Sequence, residues 1–334
     1  MQKHRKILVS LVAAVLVAAT GARAEDIIIA TPNPSYVPLL PITVALGEGY
    51  FEDEGLKVRV EALNGSGAVL QSLASGQAQI GNPGAGPFLS ARARDLDVTF
   101  LYRLNPNSSY GLVVPEASDA DTPEKLRGKV IGIGTADGAE AAFTRSIFND
   151  SGMTEGTDYS FLVVGDGGLA IAAFSRGDID AYAAATGDAA ILNSRGIPVR
   201  NITPDRFRKF FGNGLAAMTA YIEENPDAVE RFGRAIVKGA RFAEKPENID
   251  AVVDHIATIN PQEAEDRDFV KALVEQIIVR QAPFEPAKGF GYQDHEAWVA
   301  WQDSLVQSGD LEKPVADLNA VYTNEFVERW NAVD

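Results

Sequence analysis

The strongest constraint on the fold is a regular alternation of short apolar runs with helical stretches. Residues 27–30 are predicted as a strand, and a helix is predicted to follow over residues 42–48. The alternation starts again with a strand at 129–134 and continues to a strand at 180–184, and the pattern is mainly helical from Pro226 onward. Such alternation is typical of α/β domains with largely parallel sheets. The sequence therefore predicts an α/β fold rather than a helical bundle or a β-sandwich.

The first 24 residues differ from the rest of the chain. Lys3, Arg5 and Lys6 precede an apolar run over residues 7–19, and the small residues Ala22 and Ala24 follow at the expected cleavage positions. This order predicts a cleavable secretory signal peptide over residues 1–24. No later run approaches the roughly 18 apolar residues of a membrane-spanning helix. The absence of cysteine removes lipid attachment, disulfides and thiolate metal sites together. We therefore expect a soluble protein of the periplasm.

The net charge argues against nucleic acid and anionic membranes as partners. The chain carries a formal charge of −16, and removal of the four basic side chains of the predicted signal peptide leaves −20 on the remaining 310 residues. A surface this acidic repels phosphate backbones and anionic lipids. A chain of this length also exceeds what one hydrophobic core usually organises, so two lobes are expected. We expect the protein to be a monomer.

The chain is predicted to cross between its two lobes twice. Residues 98–114 are predicted to form two strand segments separated by a polar segment at 105–109. This arrangement is typical of a hinge. We therefore predict two Rossmann-like lobes joined by a two-strand hinge, with a ligand cleft between them that closes like a clamp. The predicted lobe 1 comprises residues 25–109 and 223–334, and the predicted lobe 2 comprises residues 110–222.

Polar and glycine-rich loops follow the predicted strands. In open α/β sheets a ligand lies beyond the carboxyl ends of the strands, so these loops are expected to meet at one cleft. Predicted helix starts at Ala68 and Ala139 would add amide groups and the positive ends of helix dipoles. The predicted ligand-binding residues are Ser35, Tyr36, Asn64, Ser66, Gly67, Asn82, Asn105, Tyr110, Thr135, Asp137, Gly138, Asp166, Thr186 and Asp188.

Several of these residues have a simple structural alternative. Helix capping is the alternative role of Ser66, Thr135 and Asp137. Core packing is the alternative to ligand contact for the aromatic residues Tyr36, Tyr110 and Phe88. Arg103 lies at the predicted hinge, where it could anchor a ligand or form an ion pair between the lobes.

Residues 50–58 resemble a signature of known substrate-binding proteins. The segment Tyr-Phe-Glu-Asp-Glu-Gly-Leu-Lys-Val is similar to the pattern G-(Y/F)-F-x-x-E-G-L-x-V of the proteins that bind alkanesulfonates, taurine, nitrate and thiamine pyrimidine precursors. Further similar segments lie at 67–81, 128–133, 177–181, 225–229 and 298–305. The resemblance spans nearly all of the chain after residue 24. It implies a type II periplasmic binding protein that delivers a small molecule to an ABC-type permease in the cytoplasmic membrane.

The residues present do not assemble the site of an enzyme. No nucleophile–base pair can be formed, because His255 and His295 fall on late predicted helices without metal-ligand spacing. The glycines at 132, 134 and 138 miss the spacing of a dinucleotide loop by one residue. The resembled superfamily has an enzymatic branch with a cysteine-rich motif, which this chain cannot supply. We predict no catalysis, no cofactor and no metal. A sensory module that presents its liganded lobes to a membrane receptor is a third possible class.

The sequence gives opposed indications of the ligand's charge. Each helix start favours an anion such as a sulfonate by about 0.3–1 kcal/mol through its dipole. Four carboxylates oppose an anion: Asp137, Glu140, Asp166 and Asp188. One carboxylate about 4 Å from an anion costs about 4 kcal/mol at an effective dielectric near 20. We therefore favour a neutral or cationic aminopyrimidine-like heterocycle, held by carboxylates and stacked on Tyr36 or Tyr110. A sulfonate-like anion is the alternative if the carboxylates point to solvent.

Overall fold

The structure is a computed structural model that describes residues 25–106, 110–165, 168–283 and 285–333. The predicted signal peptide at 1–24 lies outside these residues, and so does the predicted site residue Asp166. Of the helices in the described ranges, none is long and apolar enough to cross a membrane.

Strands and helices alternate through the first two thirds of the chain, as the sequence predicts. The strands are β1 (Glu25–Thr31), β2 (Leu56–Ala62), β3 (Ile80–Gly81), β4 (Val98–Tyr102), β5 (Tyr110–Pro115), β6 (Lys129–Ile133), β7 (Tyr159–Val163), β8 (Ala181–Ala185), β9 (Val199–Asn201) and β10 (Leu215–Met218). The helices are α1 (Leu40–Gly47), α2 (Tyr50–Asp53), α3 (Gly65–Ala74), α4 (Ala85–Arg92), α5 (Ala139–Asp150), α6 (Gly168–Arg176), α7 (Thr186–Ser194), α8 (Thr219–Glu224), α9 (Pro226–Ala243), α10 (Ile249–Ile259), α11 (Arg267–Gln281), α12 (His295–Ser308) and α13 (Val327–Asn331).

The strands form two five-stranded sheets that share the same arrangement of parallel and antiparallel strands. The first sheet has the order β2-β1-β3-β10-β4, and the second has the order β7-β6-β8-β5-β9. In the first sheet β1 pairs in parallel with β2 and β3, while β10 runs antiparallel to its neighbours. In the second sheet β6 pairs in parallel with β7 and β8, while β5 runs antiparallel to its neighbours. The predicted two-lobed α/β fold is confirmed.

The sheets locate the two crossings of the chain. The first crossing lies between Tyr102 at the end of β4 and Tyr110 at the start of β5. The return lies between Asn201 and Leu215, because β10 pairs with β3 and β4 of the first sheet. It therefore comes before the predicted boundary at residue 222. β10 is only four residues long, Leu-Ala-Ala-Met, and it is formed by pairing with strands more than 100 positions earlier, so local pattern gave no signal for it.

Two helices near the cleft begin within glycine-rich segments. α4 begins at Ala85, inside the Pro- and Gly-rich segment 82–87. Pro87 is compatible with this because the amide groups of a first helical turn have no intrahelical acceptor. The helix expected to start at Ala68 is α3, which begins at Gly65, with Asn64 at its N-cap position.

An aromatic cluster outside the cavity lining joins the lobes. Trp298 and Trp301 of α12 are buried, and the Trp298 ring lies 5.0 Å from Phe100 and 4.7 Å from Phe211. Phe88 is buried in the same cluster, 5.6 Å from Trp298, which is the core-packing role left open by the sequence. α12 also packs against α5 of the second lobe. The C-terminal helices therefore hold both lobes together.

Candidate functional site

A cavity of about 780 Å³ lies between the two sheets. Its walls come from the first lobe, the second lobe and the C-terminal helices, which places it where the sequence predicted a cleft. The predicted site residues that line it are Ser35, Ser66, Tyr110, Thr135, Gly138 and Asp188.

Two side chains fix the start of α3, one from α3 itself and one from the second lobe. Ser66 is buried, and its Oγ accepts a hydrogen bond of 3.1 Å from the amide of Gly84 at the start of α4. The amide of Gly67 donates to Oδ2 of Asp137 at 3.1 Å. Asp137 lies in the second lobe, so it caps a helix of the opposite lobe rather than its own helix α5. This hydrogen bond is a direct link between the lobes.

Loss of the Asp137 carboxylate is expected to loosen this link. We expect Asp137→Ala to increase the radius of gyration of the ligand-free protein in small-angle scattering, because the amide of Gly67 loses its acceptor. Asp137→Asn should have an intermediate effect, since its amide oxygen still accepts a hydrogen bond. Identical scattering from the wild type and both variants would show that the Asp137–Gly67 contact does not hold the lobes together.

A second carboxylate occupies the loop before α5. Oε1 of Glu140, in the first turn of α5, accepts a hydrogen bond of 3.0 Å from the amide of Thr135. The side chain folds back over Gly138, where a Cβ atom would overlap the carboxylate oxygens. Glu140 thus satisfies a loop amide that faces the cavity.

A third carboxylate holds the loop that follows β1. Glu263 accepts hydrogen bonds from the Ser35 hydroxyl, from the Tyr36 amide at 2.8 Å and from the Val37 amide at 3.2 Å. These groups precede a short 3₁₀ turn, Val37–Leu39, that leads into α1. Burial raises the pKa of the Tyr36 hydroxyl, and the neighbouring Glu263 raises it further. Tyr36 is half-buried and is not among the residues that line the cavity.

These three carboxylates change the electrostatics of the cleft. The amide groups that could bind a ligand anion at α3, before α5 and before α1 already donate to Asp137, Glu140 and Glu263. An anion placed beside one of them would meet a negative charge at about 4 Å, at a cost of about 4 kcal/mol for an effective dielectric near 20. The geometry therefore disfavours an anionic group beside these amides.

The hinge is built from buried amide side chains. The Tyr110 hydroxyl donates to Oδ1 of Asn213, whose Nδ2 donates to the carbonyl of Asn82 at 3.1 Å. The amide of Asn105 donates to the carbonyl of Asn213 at 3.1 Å, and Oδ1 of Asn105 accepts from Gln281 at 3.3 Å. Asn82 and Asn105 are buried and join the two crossings of the chain, outside the cavity lining.

Arg103 lies beneath this hinge. Its Nη2 donates to the carbonyl of Pro106 at 2.7 Å, and its guanidinium lies 4.5 Å from the ring centre of Phe211. Burial lowers the pKa of Arg103 to about 10, and Asp294 acts in the opposite direction. Arg103 is therefore part of the packed hinge and does not line the cavity.

The remaining predicted site residues lie at separate places in the structure. Asn64 is exposed beside α3 and lies outside the cavity lining. Thr186 is the first residue of α7, and its side chain is outside the described part of the structure. Asp188 is buried at the cavity wall and accepts a hydrogen bond of 3.3 Å from the Tyr182 hydroxyl. Within the described ranges, no cluster of three or more His, Cys, Asp or Glu residues is arranged to hold a metal ion.

One wall of the cavity was not predicted from the sequence. Phe269, Leu273 and Ile277 of α11 line it, and Ile171 and Ile191 of the second lobe also contribute apolar surface. The four-residue spacing of the three α11 side chains places them on one face of the helix. That spacing was visible in the sequence, but only the folded chain shows that this face closes a cleft formed mainly by residues before 215.

Comparison with known proteins identifies the family. A family model described as NMT1/THI5 like matches residues 38–249, which is more than half of the chain. The chain belongs to the NMT1/THI5-like family. The resemblance drawn from residues 50–58 is thereby confirmed.

Two relatives of this NMT1/THI5-like chain are named as binding proteins. It is 29% identical to the riboflavin-binding protein RibY of Chloroflexus aurantiacus over 309 residues, which cover 88% of this chain and 84% of the relative. It is 25% identical to the formylaminopyrimidine-binding protein of Halalkalibacterium halodurans over 281 residues, which cover 81% of this chain and 82% of the relative.

The NMT1/THI5-like chain shares its fold with a binding protein of known structure. The alkanesulfonate-binding protein SsuA of Xanthomonas axonopodis pv. citri, bound to MOPS, matches with a TM-score of 0.69 and 18% identity, over 89% of this chain and 98% of SsuA. At this identity the similarity establishes the fold and leaves the ligand to be argued from the site.

Proposed function

We propose that this solute-binding protein, of the type that serves ABC importers, captures a neutral or cationic nitrogen-bearing heterocycle in the periplasm and delivers it to a membrane permease. The two relatives support this class of ligand, because one is named for riboflavin and the other for a formylaminopyrimidine. Both molecules are nitrogen heterocycles without a sulfonate or phosphate group.

The observation that carries the proposal is that three of the protein's own carboxylates already accept hydrogen bonds from backbone amides around the cleft. Asp137 accepts from Gly67 in the first turn of α3, Glu140 from Thr135 in the loop before α5, and Glu263 from Tyr36 in the loop before α1. Among the described residues, the carboxylates that line the cavity itself outnumber its one lining cation, Arg195: they are Glu140, Asp188, Glu263, Glu265 and Asp266. Carboxylate oxygens accept hydrogen bonds from amines, ring N–H groups and hydroxyls, which nitrogen heterocycles and their substituents provide.

The apolar part of the cavity suits a flat ring system. Phe269, Leu273 and Ile277 form a continuous apolar face on α11. Ligand cavities of about 300–1,000 Å³ lined by apolar side chains with a few polar groups are typical for small organic molecules. At about 780 Å³ this cavity is large enough for more than a single pyrimidine ring, so we expect ligands with fused rings or an extended substituent.

A matched ligand screen tests the proposal. Protein freed of bound ligand by unfolding and refolding is mixed with riboflavin, the formylaminopyrimidine or taurine, and its unfolding is measured. We expect at least one heterocycle to stabilise the protein, by about 2.7 kcal/mol at a hundredfold excess over its Kd. Taurine should leave the stability unchanged. Asp188→Asn should weaken binding of the heterocycle, since an amide is a poorer acceptor than a carboxylate.

The opposite pattern would overturn the proposal. Stabilisation by taurine and by neither heterocycle, with taurine binding unchanged or improved in Asp188→Asn and Glu140→Gln, would make the protein an anion binder. Leu162→Ser is a suitable control for the variants, because Leu162 lies on the exposed edge strand β7 and is not among the cavity residues.

A further inference from the structure

We propose that Arg195 and Glu265 form a gate at the solvent end of the cavity. The two residues come from opposite sides of the cavity, and an ion pair between them closes it when the lobes close on a ligand. The gate concerns how a ligand is retained and not which class of ligand is bound, so this inference goes beyond the proposed function. Neither residue was among the site residues predicted from the sequence.

Arg195 lies on the cavity face of the second lobe, directly after α7. Asp188, Ile191 and Arg195 line the cavity at intervals of three and four residues, which places them on one side of the helix. Asp188 is buried and Arg195 is exposed, so this face runs from the inner wall to the solvent end of the cavity. The backbone of Arg195 is held by the helix end, because its amide donates to the carbonyl of Ile191 at 3.0 Å and Gly196 follows with φ 81°.

Glu265 lies at the opposite wall, in the corner between the 3₁₀ turn Pro261–Ala264 and α11. This corner packs on the first lobe, because Ala264 and Val270 are buried in one apolar cluster with Leu40 of α1. Glu265 itself is exposed and lines the cavity. It is therefore a carboxylate at the solvent end, carried by a packed part of the backbone.

The charges at this end of the cavity differ in how they are used. Glu263 accepts hydrogen bonds from the loop before α1, and Asp266 accepts one of 3.1 Å from an amide in the first turn of α11. By contrast, the side chains of Arg195 and Glu265 make no ion pair or hydrogen bond with any residue in the described part of the chain. One unpaired cation and one unpaired carboxylate thus line the same cavity from its two sides.

The two side chains have complementary chemistry. A guanidinium and a carboxylate can pair through two parallel N–H···O hydrogen bonds. Because Arg195 and Glu265 belong to different sides of the hinge, closure of the lobes changes the distance between them and leaves their own backbones unchanged. The protein therefore supplies the partner of Arg195, and the ligand needs no anionic group. An exposed ion pair of this kind slows escape of the ligand by about 1.5- to 5-fold.

Charge reversal tests the gate. We expect Arg195→Glu to speed dissociation of riboflavin by about 2- to 25-fold in stopped-flow dilution, because the pair is lost and two like charges repel. The double variant Arg195→Glu/Glu265→Arg should return to the wild-type rate. The difference between the wild type and Arg195→Glu should largely disappear in about 1 M salt, where the screening length is about 3 Å.

Arg94→Glu is the matched control, because it makes the same change of charge at an exposed residue that does not line the cavity. Its dissociation rate should equal that of the wild type. A wild-type rate in Arg195→Glu, or a fast rate that Glu265→Arg fails to correct, would overturn the gate. The second result would assign Arg195 to the ligand instead.

A chemical cross-link tests the contact without any ligand. The chain contains no cysteine, so the variant Arg195→Cys/Glu265→Cys has a single pair of thiols. A short bifunctional maleimide should join them within one molecule, as detected by mass spectrometry, each time that the lobes close. The control variant Arg94→Cys/Glu265→Cys should remain without this cross-link.

The two experiments separate the gate from the proposed function. A cross-link yield no higher than that of the control variant would overturn the gate whatever the ligand is. If the wild type binds neither riboflavin nor the formylaminopyrimidine, the proposed ligand class is wrong, and the cross-link alone decides whether the gate exists.

Discussion

Replacing Gly84 with alanine is expected to force the two lobes apart and to weaken ligand binding about 5- to 100-fold. Gly84 precedes α4 in the first lobe, and a Cβ atom there would overlap the Cβ of Ala139 at the start of α5 and lie 3.3 Å from its Cα. Neither atom can move by a rotamer change. Gly84 has φ −74° and ψ 154°, which alanine adopts without strain, so the effect comes from the clash alone.

A compensating variant serves as the control for this prediction. Ala139→Gly removes the obstructing Cβ, and the double variant Gly84→Ala/Ala139→Gly should recover most of the lost affinity. Isothermal titration with the best heterocycle of the screen and small-angle scattering without ligand measure the two effects. Wild-type affinity and dimensions in the Gly84→Ala single variant would contradict the close contact between α4 and α5.

Replacing Trp301 with alanine is expected to lower the free energy of unfolding by about 3–5 kcal/mol. Trp301 of α12 is buried, its ring stacks on Phe210 at 5.0 Å, and its Nε1 donates to the carbonyl of Phe211 at 3.1 Å. The alanine variant leaves a large cavity and an unsatisfied carbonyl in the return crossing of the chain. Urea unfolding monitored by circular dichroism measures the loss.

Two comparisons separate the contributions of Trp301. Trp301→Phe keeps most of the ring contacts and loses the hydrogen bond, so it should cost much less than the alanine variant. Ala257→Ser, a small change at a partly buried position of α10, should leave the stability nearly unchanged. A loss below about 1 kcal/mol for Trp301→Ala would show that α12 contributes little to joining the lobes.

Much of the fold could be predicted because its elements have local signals. The strand predicted at 129–134 and the helical pattern predicted after Pro226 correspond to β6 and to helices such as α12, because both have local apolar patterns. In α12 the Asp294 side chain accepts from the Glu296 amide, and Gly309 ends the helix at φ 81°. β10 was missed because its four residues include no β-branched or aromatic side chain, and they become a strand only through pairing with β3 and β4.

The site was harder to predict because side chains act across the lobes. The loops after the strands were found, since the carboxyl ends of parallel strands meet at one edge. Capping by Asp137 was foreseen, but the helix that it caps lies 70 positions earlier in the other lobe. Glu263 carried no local signal. Its role depends on how the C-terminal helices fold back over the cleft, and sequence spacing does not report this.

Under the proposed function, three carboxylates that bond the protein's own backbone would select the ligand indirectly. Asp137, Glu140 and Glu263 occupy backbone amides, and this disfavours an anion there without requiring contact between these side chains and the accepted ligand. A binding protein of this fold can therefore change the charge class of its ligand through substitutions that leave the shape of the cavity intact. Among related chains, acidic or non-acidic residues at these three positions become a signature of ligand class that can be read before any ligand is known.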